Sequence, residues 1–222
     1  MLHFLKSTSR TVHHIQDHDE HYYNKKDSNE TCISLTVWRK SLIFSCSGFT
    51  VIGSDGSLAY RVDNYTGRPD QVVLMDGWGN PIFTICRRKK LWLVDNYWLV
   101  YEGEIGKNCK NMNNNIKSSK KPVFCVRKNV SIIRQTKKLD VLAYVYSEMS
   151  DKRQTYIVEG SYTHRSCKIL DESKRVLGEI KKKEGMSSSV SFGLEVFHLM
   201  VKPGFESRFA MAIVLLLDQM FS

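Results

Sequence analysis

The sequence lacks the motifs by which many catalytic and metal sites are recognised. It contains no Gly-x-Ser-x-Gly, no phosphate-binding glycine loop with its lysine, and no His-Glu-x-x-His. The six cysteines are scattered from Cys32 to Cys167 without a Cys-x-x-Cys pair, so a zinc site is not predicted. We therefore expect no enzyme activity, no catalytic residues, no metal and no cofactor.

The sequence also lacks a long apolar segment. A membrane-spanning helix needs roughly 20 consecutive apolar residues, and the apolar run Phe209–Leu217 is much shorter. No hydrophobic leader opens the chain. We therefore expect reduced cysteines and a cytoplasmic location, with a peripheral membrane or nuclear location as the alternatives.

Isolated aspartates and histidines are assigned structural roles. Asp55, Asp76 and Asp171 stand where tight turns favour Asp. His164 and His198 have no evident partner in the sequence, so we expect core or surface roles for them.

Residues 1–30 are predicted to be a disordered polar tail because they contain few apolar side chains. On a helix, three histidines of this tail would share a face and could bind a metal: His14, His18 and His21. Nothing in the tail supplies a scaffold for such a site. An organelle-targeting segment is a second alternative, since no acidic residue precedes Asp17. Residues 31–222 are predicted to form one domain.

From Thr31 onward the sequence predicts strands. Three pairs of apolar segments flank short acidic turns, as β-hairpins do: Phe49–Ile52 with Leu58–Val62, Val72–Met75 with Ile82–Cys86, and Cys167–Leu170 with Val176–Ile180. Further strands are predicted at Ile33–Val37, Leu91–Val94, Trp98–Glu102, Val123–Arg127, Leu139–Tyr146, Tyr156–Ser161 and Leu194–Val201. Polar loops are predicted at Gly103–Lys121 and Gly185–Ser191.

The apolar run near the C-terminus predicts how these strands are arranged. Phe209–Leu217 is rich in Ala, Met and Leu, which favours a helix that begins after Pro203 and Gly204. A helix that is apolar on every side must be surrounded on every side. About a dozen strands make a wall wide enough to enclose a helix. The predicted fold is therefore an all-β-dominated, closed barrel of about twelve strands around a hydrophobic C-terminal α-helix.

The charge is strongly positive, with 33 Lys and Arg against 23 Asp and Glu and a net charge of +10. Such a surplus attracts anionic surfaces, or it simply keeps a β-rich protein soluble. The basic clusters are Arg87–Lys90, Lys117 with Lys120 and Lys121, Lys137 with Lys138, and Lys181–Lys183. If they converge they form a phosphate-binding face, and if they diverge they are solvated turns.

The candidate lipid-binding residues are Arg87, Arg88, Lys89, Lys90 and Trp92, a dense cluster beside an aromatic residue suited to a membrane interface.

From Thr31 to the C-terminus, the sequence resembles the LURP-one-related family of plant proteins. The segments that carry the resemblance are Leu35–Leu42, Gly48–Val51, Tyr60–Tyr65, Leu74–Gly77 with Pro81, Trp98, Gly160–Ser161, Arg165–Cys167, and Pro203 with Phe209–Asp218. The sequence departs from the family at Asp95–Tyr97, where His-Asp-Arg is common, and at Glu206 and Arg208 before the terminal helix. Arg208 must reach the mouth of the barrel or pair with an acid, since burying it alone would be costly.

The resemblance implies a fold similar to the tubby C-terminal domain and to phospholipid scramblases, and for some members a link to plant defence. It implies no catalytic residues, because the family has no established activity. We expect a monomeric, non-enzymatic binding or regulatory module that associates with anionic phospholipid membrane. The alternative is a protein-interaction scaffold in defence signalling with an unknown partner. Scramblase-like activity ranks third, and no strong case for nucleic acid exists.

Overall fold

Twelve strands and one helix make up the described part of the chain. The computed structural model describes residues 31–44, 46–63, 71–88, 97–105, 121–129, 141–147, 155–183 and 193–221. The strands are β1 Ile33–Trp38, β2 Gly48–Ile52, β3 Leu58–Asp63, β4 Gln71–Asp76, β5 Pro81–Arg88, β6 Tyr97–Glu102, β7 Phe124–Lys128, β8 Val141–Tyr146, β9 Tyr156–Ser161, β10 Ser166–Asp171, β11 Val176–Lys182 and β12 Val196–Val201. The helix α1 spans Ser207–Phe221.

The strands form a closed antiparallel barrel in which each strand pairs with its neighbours in sequence. The barrel closes between β1 and β12, where Ile33 pairs with Val201 and Trp38 with Val196. The predicted barrel is thereby confirmed, together with its three hairpins. The predicted strand Leu91–Val94 lies outside the described residues.

The helix α1 lies inside the barrel and forms the centre of the core. All residues from Ala210 to Asp218 are buried, whereas Gln219 is exposed. The strands contribute every second side chain to the same core, for example Val37, Val51 and Leu74, which are fully buried. A helix surrounded by strands in this way explains why its apolar residues occupy every side.

The two rims of the barrel differ in which end of α1 they contact. The lower rim is the end where α1 begins, and there Tyr60 Oη lies 2.8 Å from Ser207 Oγ. The upper rim is the end where α1 ends, and there Lys128 Nζ donates to the Met220 carbonyl at 2.7 Å. Because the strands alternate in direction, odd-numbered strands end at the upper rim and even-numbered strands end at the lower rim.

The assignment of aspartates to turns is confirmed. Asp76 accepts hydrogen bonds from the backbone N–H groups of Trp78 at 2.9 Å and Asn80 at 2.8 Å. Asp55 does the same for Ser57 at 3.0 Å, and Asp171 for Arg175 at 2.9 Å. These turns all lie at the lower rim.

One cysteine differs from the expectation of reduced thiols. Cys86 is disulfide-bonded, whereas Cys32, Cys46, Cys125 and Cys167 are free. Scattered spacing in the sequence does not show which thiols the fold brings together, so this bond could not be predicted.

Several predictions concern residues outside the described part of the chain. They are the tail 1–30 with its histidines, most of the loop 103–121, and the loop 185–191. These stay predictions.

Candidate functional site

Basic residues from several strands meet at the upper rim. Arg87 and Arg88 end β5, Arg127 and Lys128 end β7, and Lys181–Lys183 end β11 and follow it. Arg39 and Lys40 follow β1 at the same rim. The strand order therefore places four basic groups that are far apart in sequence at one end of the barrel.

Among the described residues, acidic side chains outnumber basic ones at the lower rim. They lie in or beside its turns: Asp55, Asp76, Glu102, Glu104, Asp171, Glu172 and Glu206. Three of the described cations at this rim are paired, Lys174 with Glu159 at 2.8 Å, Arg175 with Asp171 at 2.7 Å and Arg208 with Glu206 at 2.5 Å. In the described part of the chain the two rims therefore differ in charge, and such a difference orients a protein in the field of a charged surface.

The acidic partner expected for Arg208 is present. Its guanidinium pairs with Glu206, and the hydrogen bond from Arg208 lowers the pKa of the Glu206 carboxyl. Arg208 NH1 also lies 3.9 Å from Glu102. The arginine is thus neither buried nor alone.

Of the candidate lipid-binding residues, only Arg87 and Arg88 lie in the described part of the chain, and they are on opposite faces of β5. Arg87 lies on the face of β5 that carries core residues, and its guanidinium lies 5.5 Å from the centre of the Trp98 ring. Arg88, the next residue, faces the outside of the barrel. Lys89, Lys90 and Trp92 lie outside the described residues. Whether any of these residues contacts lipid stays a prediction.

Two buried donors at this side of the upper rim lack a partner. Among the described residues, Arg87 Nε and Trp98 Nε1 are buried without a hydrogen-bond acceptor. The two residues are register partners on β5 and β6, so both donors belong to the same part of the rim. An anionic oxygen or a water molecule would satisfy them.

A row of alternating Arg and Tyr residues crosses the outside of the upper rim. Arg88 pairs with Tyr97, Tyr97 with Arg127, and Arg127 with Tyr144 in the register of β5 to β8. Arg127 is exposed and the tyrosines are half-buried. Only the strand register brings these residues into one row, so the sequence did not reveal it.

A buried polar cluster fastens the last turn of α1 to the upper rim. The Asp218 carboxylate is paired with Arg39 Nε at 2.9 Å and accepts a hydrogen bond from Tyr162 Oη at 3.1 Å. Burial raises the pKa of Tyr162, and the charge of Asp218 raises it further. Arg165 lies 4.2 Å from the centre of the Tyr162 ring and donates to the Leu194 carbonyl at 2.8 Å. These contacts fix the geometry of the rim around the helix end.

Exposed apolar side chains also occur at the upper rim. They are Trp38 at the end of β1, Leu42 and Phe44 in the connection between β1 and β2, and Leu194 in the connection before β12. No role for them follows from the sequence, because an apolar residue in a sequence does not show whether it is buried.

The two isolated histidines differ in their surroundings, and the buried Nδ1 of His198 has no hydrogen-bond partner among the described residues. His164 Nδ1 lies 2.7 Å from Ser161 Oγ in the exposed turn between β9 and β10, a contact that the sequence did not suggest. His198 is half-buried on β12, and burial together with the charge of Lys183 lowers its pKa. Within the described ranges, no group of three His, Cys, Asp or Glu side chains is placed to hold a metal.

The fold and this rim define a class of protein: a twelve-stranded barrel closed around its own C-terminal helix, with one basic end. The family model described as LURP-one-related matches residues 33–218. The chain belongs to this family.

Curated relatives and a solved structure agree with the family. The chain is 45% identical to Protein LURP-one-related 17 of Arabidopsis thaliana over 229 residues, which covers 100% of each chain. It is 46% identical to Protein LURP-one-related 8 of the same plant over 196 residues, covering 87% of this chain and 89% of that one. An X-ray structure of another Arabidopsis thaliana protein shares the fold, with a TM-score of 0.55, 21% identity and coverage of 84% and 90%.

The helix α1 has only 15 residues, and no helix in the described part of the chain is long and apolar enough to cross a bilayer.

Proposed function

We propose that this protein is a non-enzymatic, cytoplasmic binding module that docks its upper rim on an anionic phospholipid surface. The link to plant defence that the family resemblance implies for some members supports a regulatory role for this module. We also propose that it acts as a monomer, and the closed strand order supports this because it leaves no sheet edge for pairing with a second copy.

The separation of charge between the two rims supports this proposal. A net charge of +10 spread evenly would give attraction without orientation. Among the described residues, the basic strand ends share one rim and the acidic turns share the other. A juxtamembrane Lys or Arg contributes about 1 kcal/mol near an anionic leaflet, so several at one rim are enough for reversible docking.

Matched lysine substitutions at the two rims test the proposal. Lys40 and Lys182 are exposed at the upper rim, and Lys121 and Lys202 are exposed at the lower rim. Both double Lys→Gln variants change the net charge equally. Binding is measured by co-sedimentation with phosphatidylcholine vesicles with and without phosphatidylserine, at low and high salt.

The upper-rim variant should bind phosphatidylserine vesicles about thirtyfold more weakly, at about 1 kcal/mol per lysine. The lower-rim variant should bind nearly as the wild type does. High salt should weaken all binding because it screens exposed charges. Equal loss in both variants, or no binding by the wild type at low salt, would contradict the proposal.

A protein-interaction scaffold is the second candidate, and one residue favours it. Trp78 is 92% exposed in the lower-rim turn that Asp76 holds in place. Tryptophan on a fixed turn is a frequent anchor of protein interfaces. If this function holds, Trp78→Ser should abolish capture of a plant protein partner, whereas the Lys40 and Lys182 variant should retain it.

A further inference from the structure

The connection between β1 and β2, residues 39–47, presents apolar side chains to solvent at the upper rim. Phe44 is 96% exposed and Leu42 is 53% exposed. Single exposed apolar residues are common on protein surfaces. These two residues differ from scattered surface residues in how the β1–β2 loop is held and in what surrounds it.

The base of the β1–β2 loop is held by hydrogen bonds. Ser41 Oγ accepts from the backbone N–H of Ile43 at 3.0 Å and donates to the buried carboxylate of Asp63, which is paired with Arg61. Thr50 Oγ1 donates to the Lys40 carbonyl at 2.7 Å. The loop tip is therefore presented by a fixed base, and its exposure is a property of the fold.

Further apolar and basic side chains surround this loop. Trp38, at the end of β1, is 39% exposed, and Lys40 Nζ lies 5.3 Å from the centre of its ring. Leu194, 45% exposed, lies in the connection next to it, because Arg39 N–H donates to the Glu195 carbonyl at 2.8 Å. Lys181 and Lys182 end β11, which is separated from β1 only by β12. Apolar tips, an interfacial tryptophan and lysines thus occupy one side of the upper rim.

This combination fits a bilayer better than a protein surface. Lysine is depleted in the core of protein interfaces, and the apolar side chains here stand on two separate connections. At a membrane, by contrast, apolar tips enter the acyl region while lysine ammonium groups stay at the anionic headgroups. Tryptophan is enriched at the boundary between the two regions.

We propose that the β1–β2 loop inserts Leu42 and Phe44 into the bilayer when the upper rim docks on anionic phospholipid. This inference rests on the proposed function and adds to it an apolar anchor. The anchor orients the barrel with its β11, β12 and β1 side toward the membrane. It also makes an intact bilayer, and not a free phosphorylated headgroup, the ligand of this loop.

Serine substitutions at the loop test the insertion. Phe44→Ser and Leu42→Ser should each weaken binding to phosphatidylserine vesicles about tenfold, because each removes an apolar side chain from the acyl region. The salt dependence of binding should not change, since no charge is lost. Phe44→Ser should also reduce the rise in surface pressure that the wild type causes in a phosphatidylserine monolayer.

Two control variants separate insertion from other effects. Phe44→Trp should retain binding, since tryptophan keeps a large apolar side chain at the tip. Trp78→Ser removes an equally exposed aromatic residue from the lower rim and should bind as the wild type does. The insertion would be overturned if Phe44→Ser bound the vesicles with wild-type affinity, or if Trp78→Ser lost as much affinity as Phe44→Ser does. Either result would leave electrostatic docking standing. If the wild type did not bind these vesicles at low salt, both the docking and the insertion would be overturned.

Discussion

At the scale of single residues, Arg39 makes two ion pairs that differ in their surroundings. Its guanidinium contacts the buried Asp218 at 2.9 Å and the exposed Glu195 at 3.3 Å. The side chain of Asp218 is 9% exposed and that of Glu195 is 57% exposed. A hydrogen-bonded buried charge contributes more than a solvent-exposed pair, which is worth roughly 0–1 kcal/mol. One arginine therefore allows the two kinds of ion pair to be compared directly.

We expect Asp218→Asn to lower the free energy of unfolding by about 2 kcal/mol, since it leaves Arg39 and Tyr162 facing a neutral group. Glu195→Gln should change it by less than about 1 kcal/mol. Both are measured by urea denaturation monitored by tryptophan fluorescence. Equal effects of the two substitutions would show that the buried pair contributes no more than the exposed one.

At the scale of elements, α1 differs from a surface helix because the barrel encloses it. Leu216 is fully buried and Gln219, one turn later, is exposed where the helix reaches the upper rim. The sequence of α1 predicts this enclosure, since its apolar run has no polar side. The helix should therefore tolerate change only near its end.

Leu216→Ala should lower the free energy of unfolding by about 2–5 kcal/mol, because the barrel wall cannot collapse onto the space it leaves. Leu216→Asp should prevent folding, and Gln219→Ala should change stability by less than about 0.5 kcal/mol. A chain that ends before Phe209 should fail to fold, since a domain is stable by only about 5–15 kcal/mol. Thermal unfolding followed by circular dichroism measures all four. Cooperative unfolding of the truncated chain as a monomer would contradict the enclosure.

The elements also show why some features could be predicted and others could not. Hairpins were predictable because strand pattern and turn residues lie close together in sequence. The face of β5 on which the Arg87 side chain lies could not be predicted. The preceding residues 82–86 are apolar or small throughout, so their sequence does not show which face of β5 is inside the barrel. The same holds for Phe44, since an apolar residue after β1 could equally have been buried.

At the scale of the whole molecule, the side of the upper rim for which we propose membrane insertion is formed by closure of the barrel between β1 and β12. Residues 33–38 pair with residues 196–201, so the β1–β2 loop lies next to the connection before β12. The strand β5 lies across the barrel from β11. No local pattern in the sequence encodes this arrangement, which arises only when the barrel closes.

The two sides of the upper rim should therefore contribute unequally to docking. Replacing Lys181, Lys182 and Lys183 with Gln should weaken binding to phosphatidylserine vesicles by about one to two orders of magnitude, at about 1 kcal/mol per lysine. Lys181 should contribute less than the other two, because it is paired with Glu179. Replacing Arg88, Lys89 and Lys90 with Gln removes the same charge from the β5 side and should weaken binding less. Arg87 is left unchanged, because loss of its contact with Trp98 would add an effect on folding.

Co-sedimentation at low salt compares the two variants, with circular dichroism to verify that both are folded. Equal losses would indicate that the barrel docks with the whole rim flat on the membrane, and a larger loss on the β5 side would contradict the orientation that the β1–β2 loop implies.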